Sequence, residues 1–88
     1  MSERIGKYLS VELVGSTGKT KVWRLLNENG GGLGLGFIEW YSQWRQYVLR
    51  TESVYTIFNR GCLQEIDTFL KKQNDEHRAE CRARRKLG

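Results

Sequence analysis

Apolar and polar positions alternate with a period of two along the first half of the chain, then switch to helical spacing. In Tyr8-Leu-Ser-Val-Glu-Leu-Val14, residues Leu9, Val11 and Leu13 fall on one side, which predicts a strand. Gly15-Ser-Thr-Gly18 is a turn cluster, and Lys21-Val-Trp-Arg-Leu-Leu26 predicts a second strand paired with the first as a hairpin. The glycine-rich stretch from Asn27 to Gly36 predicts a loop, with Gly34 and Gly36 allowing another backbone to approach the next strand. Leu35–Tyr41 and Trp44–Arg50 read as strands three and four around a Ser42-Gln43 turn. Val54–Phe58 reads as a fifth strand or an extended lead-in. Asn59 then suits a helix N-cap, and Cys62, Leu63, Ile66, Phe69 and Leu70 recur at helical spacing.

The turn at Ser42-Gln43 fixes the register of strands three and four. With Tyr41 opposite Trp44 and Ile38 opposite Tyr47, one face carries Phe37, Tyr41, Trp44 and Val48. The other carries Ile38, Trp40, Arg45, Tyr47 and Leu49. Both faces are aromatic. One face packs beneath the helix, so the other needs a partner, a second subunit or a ligand; a homodimer or higher oligomer is expected.

Eighty-eight residues form one small domain, here taken as residues 1–75, with residues 76–88 as a basic helical arm. The apolar periodicity stops near Lys71. The net charge of +5 is concentrated beyond it: residues 1–76 hold ten Lys/Arg against nine Asp/Glu, and residues 77–88 hold five against one. A basic end on a nearly neutral body suits a polyanion. No window approaches a membrane span, and the N-terminus lacks a signal-like apolar run, so a cytoplasmic protein is expected. Cys62 and Cys81 on one helix lie about 28 Å apart and cannot pair within the chain.

Catalytic motifs are not supported. Gly15-Ser-Thr-Gly-Lys-Thr20 ends like a phosphate-binding loop, but position 13 is Leu and a strand, not a helix, is predicted next. His77 is the lone histidine and has no evident catalytic partner. A non-catalytic protein without metal or cofactor is expected. Aromatic rings interleaved with arginines stack bases and neutralise phosphates. The candidate nucleic-acid-binding residues are Lys21, Trp23, Arg24, Trp40, Trp44, Arg45, Tyr47 and Arg50, with Arg82, Arg84 and Arg85 of the tail. The same residue types also make hot spots for a protein partner.

The order strand, strand, Gly-rich loop, strand, strand, helix over residues 5–74 is similar to the single-stranded-DNA-binding fold of the Whirly proteins and the eukaryotic positive transcription cofactor. Ile5-Gly-Lys-Tyr-Leu-Ser-Val-Glu12 resembles the cofactor domain's first strand. The segment before the helix, Thr56-Ile-Phe-Asn-Arg-Gly-Cys-Leu63, departs from the Leu and Trp pattern usual there. Gly36-Phe-Ile-Glu-Trp-Tyr-Ser-Gln-Trp-Arg-Gln-Tyr47 and Thr56–Ile66 resemble small proteins encoded by tailed bacteriophages and prophages over residues 34–70. That likeness implies a viral origin and an infected or lysogenic bacterial host, but supplies no activity. The expectation is therefore an α+β fold: a curved antiparallel sheet of four to five strands followed by one C-terminal α-helix. Its expected role is binding single-stranded DNA, with inhibition of a host enzyme or defence complex as the alternative.

Overall fold

The computed structural model describes residues 2–28, 33–54 and 56–87. It is an α+β fold: an antiparallel five-stranded sheet followed by one helix. The elements are β1 (Ser2–Arg4), β2 (Leu9–Ser16), β3 (Lys21–Asn27), β4 (Leu33–Tyr41), β5 (Gln46–Thr51) and α1 (Arg60–Leu87). The strands lie in sequence order, a simple meander.

Two expectations shift. The fifth strand is β1, which pairs Glu3 with Val11. Val54 and Phe58 do not lie in a strand, and Val54 and Ile57 are almost fully exposed. The β4–β5 turn spans four residues, with Trp40 opposite Tyr47 and Tyr41 opposite Gln46. Trp44 and Arg45 therefore sit in the turn, not in a strand. Arg45 closes it with φ of 52°, and its N–H donates to the Ser42 carbonyl at 3.3 Å. The register moves by two residues. Because side chains alternate with a period of two, every strand residue keeps its expected face.

One face is the core. Leu9, Val11, Trp23, Leu25, Ile38 and Tyr47 are buried against Ile66 and Phe69 of α1. Gly36 belongs to this layer, because a Cβ there would run into the Arg50 carbonyl and the Thr51 backbone. The expected close approach at Gly36 is thus real. At Gly34 it is the Arg24 guanidinium that comes close. Residues 29–32 of the expected glycine loop lie outside the described residues.

Polar contacts pin the helix at both ends of its contact with the sheet. Asn59 Oδ1 accepts the Cys62 N–H at 2.8 Å, the expected cap. The Glu65 carboxylate accepts the N–H groups of Tyr8 and Leu9 at 3.2 and 3.1 Å. Gly6 must be small because a Cβ would strike Glu65. Two turns on, Asn74 Oδ1 accepts the Tyr47 N–H of edge strand β5 at 2.7 Å.

The buried stripe does not end near Lys71. It continues through Gln73, which is 7% exposed, to half-buried His77 and Cys81. The helix is unbroken from Arg60 to Leu87, so the expected boundary at 75/76 falls inside it. At 1.5 Å per residue its 28 residues span about 42 Å, against about 30 Å for nine-residue β4. The helix therefore overhangs the sheet at its C-terminal end.

Candidate nucleic-acid interface

The overhang lies beside the turn at the end of β4. There a groove of about 430 Å³ is lined by Trp40, Arg45, His77, Arg78, Cys81, Arg82 and Arg85. The helix supplies Arg78, Arg82 and Arg85 at four- and three-residue spacing, which places them on one side. The turn supplies Arg45 from the opposite wall.

Trp40 is positioned by a chain of rings that starts in the core. Phe69 meets Trp23 edge-on at 5.1 Å, and Trp23 meets Tyr47 at 5.4 Å. Tyr47 meets Trp40 at 5.3 Å, and Trp40 lies 4.2 Å from the tilted His77 ring. Such edge-to-face contacts fix ring orientation as well as bury area. Half-buried Trp40 thus ends a rigid series at the groove. The Cys81 Sγ lies 3.5 Å from His77 Nε2, while His77 Nδ1 is buried and has no hydrogen-bond partner among the described residues.

The groove's electrostatics follow from its pairing. Arg78 faces Asp75 at 3.5 Å, and Asp75 is also bound by Lys71 at 3.0 Å. Among the described residues, Arg45, Arg82 and Arg85 make no ion pair. Several like charges without counter-charges attract a polyanion most strongly when they share a concave wall.

The other candidate residues are scattered. Trp23 and Tyr47 are 7% and 5% exposed and belong to the core, so neither ring is open to a base. The Tyr47 hydroxyl accepts the Lys21 N–H at 3.1 Å. Burial pushes the Tyr47 hydroxyl pKa above the usual 10.0, aided by Glu80 and Glu76 and opposed by the Lys21 bond. Lys21 itself lines a small cleft with Lys19, Glu76 and Glu80, where carboxylates offset the lysines. Trp44 is 65% exposed on the turn and touches Tyr41 edge-on at 4.9 Å. Arg24 and Arg50 lie on the sheet face away from the helix, ion-paired with Glu52 at 3.6 Å and Glu39 at 2.6 Å. Arg84 pairs with Glu80 and does not line the groove.

Of the expected set, the structure brings together Trp40, Arg45, Arg82 and Arg85. His77, Arg78 and Cys81 of the same groove were not among the candidates. The signal for His77 and Cys81 was present as the four-residue spacing Phe69, Gln73, His77, Cys81, which a search for apolar residues alone passes over.

The Gly-Lys-Thr segment forms the β2–β3 turn, with Gly18 at φ of 87°, and a strand follows it. The geometry of a phosphate-binding loop is therefore absent there. Among the described residues, no three His, Cys, Asp or Glu side chains converge to hold a metal ion, and no helix is long and apolar enough to cross a membrane. No protein-family model, curated protein or solved structure matches the chain.

Proposed function

We propose that this chain is a non-catalytic nucleic-acid-binding protein, phage-encoded and acting in the bacterial cytoplasm, that holds single strands in the groove between α1 and the β4–β5 turn. The observation that carries this reading is one groove lined by four arginines, Arg45, Arg78, Arg82 and Arg85, together with Trp40. Guanidinium groups bind phosphate oxygens in forked geometry, and an indole offers a stacking surface to an unpaired base. A base held in a duplex cannot leave its neighbours without an unstacking cost, so the single strand is preferred. Trp44, exposed on the same turn, supplies a second ring.

This placement revises the surface expected from sequence. The stacking rings are Trp40 and Trp44, not Tyr47 or Trp23, and the phosphate contacts are Arg45, Arg78, Arg82 and Arg85. Arg24 and Arg50 already have carboxylate partners. A host-protein target fits the groove less well, because three unpaired arginines match a polyanion better than a mixed protein surface.

Fluorescence anisotropy with labelled oligothymidylate and with a duplex of equal length tests the reading. The single strand should bind more tightly, and Arg45→Ala should weaken both. Equal binding of the duplex removes the single-strand preference. No binding at low salt removes the function.

A further inference from the structure

Across β3 to β5, no described helix or strand packs on the sheet face opposite α1. Cross-strand pairing sets Glu12, Arg24, Phe37 and Arg50 in one row across four strands. Glu39 and Val48 form the next row, and Tyr41 and Gln46 the one after. Phe37 is therefore flanked by two arginines, each tied to a carboxylate: Arg24 to Glu52 and Arg50 to Glu39. Gly34 lets Arg24 lie flat, because a Cβ there would meet its guanidinium. Half-buried Phe37, Tyr41 and Val48 are thus framed by fixed ion pairs, an aromatic centre with a polar surround.

The charge balance selects the occupant. On this face Arg4, Arg24 and Arg50 stand against Glu12, Glu39 and Glu52, so it has no net charge to attract a polyanion. Two copies of a chain carrying +5 repel each other through most of their surface. They repel least through this balanced face. Because it carries both signs, a two-fold copy can set each sign against its opposite.

The area also fits. Four strands about 4.8 Å apart and about 26 Å long cover on the order of 500 Å² in projection. Two copies bury on the order of 1,000 Å² before the relief of Phe37, Tyr41 and Val48 is counted, the lower bound for a specific interface.

We propose that this face is the interface of a weak two-fold homodimer, sheet against sheet, with Phe37 at its centre. The helices and their arginine grooves then point outward from the two sides. The dimer becomes bivalent for a strand long enough to reach both grooves, which raises avidity without new contacts. The interface stands on the open face alone and does not depend on the nucleic-acid reading.

Sedimentation equilibrium at tens of micromolar tests it. The expected mass is twice 10.3 kDa for the wild type. Phe37→Glu and, separately, Val48→Lys should give the single mass with unchanged far-ultraviolet circular dichroism. Leu63→Glu, on an exposed helix position, should leave the dimer intact. A wild-type monomer overturns the proposal, including the case in which the face serves only a different protein. So does a dimer that survives both sheet-face variants, or one that Leu63→Glu dissociates.

Discussion

Arg82→Ala combined with Arg85→Ala should change the salt dependence of binding by a calculable amount. If Arg45, Arg78, Arg82 and Arg85 each neutralise one phosphate, four contacts form in the groove. Each contributes about 0.7 to the slope of log affinity against log salt on a single strand. The wild-type slope is then about −2.8, and raising salt from about 50 to about 200 mM lowers affinity roughly 50-fold. The double variant keeps two contacts, a slope of about −1.4 and a loss of only roughly 7-fold over the same range. Both side chains lie on the overhanging part of the helix and are exposed, so stability should move by no more than about 0.5 kcal/mol. Anisotropy titrations of labelled oligothymidylate across that range measure the slope, and urea unfolding checks the fold. An unchanged slope in a folded variant would show that the groove arginines do not meet phosphates.

Trp23→Ala should cost about 3–5 kcal/mol in urea unfolding, because the ring is buried between Tyr47 and Phe69. Trp44→Ala, at an exposed turn position, should cost under about 0.5 kcal/mol yet weaken single-strand binding roughly 5- to 150-fold. Similar unfolding midpoints for the two variants would refute the assigned burial. Arg45→Gly should move stability and binding in opposite directions: release of the left-handed backbone, φ of 52°, gains about 1 kcal/mol, while the lost charge flattens the salt slope by about 0.7. The raised pKa of Tyr47 favours the neutral hydroxyl in the folded state. Its stabilising contribution is therefore complete below pH 10.0 and lost as pH rises through the higher folded value. Tyr47→Phe should lose this alkaline component of the unfolding profile, and an unchanged profile would place the titration elsewhere.

The strands and helix were legible where local pattern and tertiary burial agree. Leu9 and Val11 alternate and both are buried, while Leu13 keeps the period but is exposed; Cys62, Ile66 and Phe69 recur helically, and α1 packs through them. Strand β1 was not legible, because Ser2-Glu3-Arg4 has no apolar member and forms by pairing to β2. The β4–β5 turn was misplaced because Trp44 and Arg45 have the composition of a strand. Only the backbone at Arg45 reveals the longer turn. The two-residue slip left the faces correct, since parity survives an even shift.

The candidate site was legible by residue type but not by place. Arginines and tryptophans were identified, yet which rings are buried depends on where the helix crosses the sheet. That crossing is set by Glu65 on the Tyr8 and Leu9 amides and by Asn74 on the Tyr47 amide, contacts between residues far apart in sequence. The same crossing carries His77 and Arg78 into the groove. The stripe of Gln73, His77 and Cys81 was hidden because it buries polar and sulfur-bearing groups where apolar ones were sought.

The central claim is that single strands bind in the groove at the helix overhang. Nuclear magnetic resonance of the arginine Nε–H and tryptophan indole N–H groups during titration with oligothymidylate tests it most directly. The account predicts shifts at Trp40, Trp44, Arg45, Arg78, Arg82 and Arg85, with Arg24, Arg50 and Trp23 nearly still. Shifts centred on Arg24 and Arg50, or no shifts at saturating oligonucleotide, would contradict it.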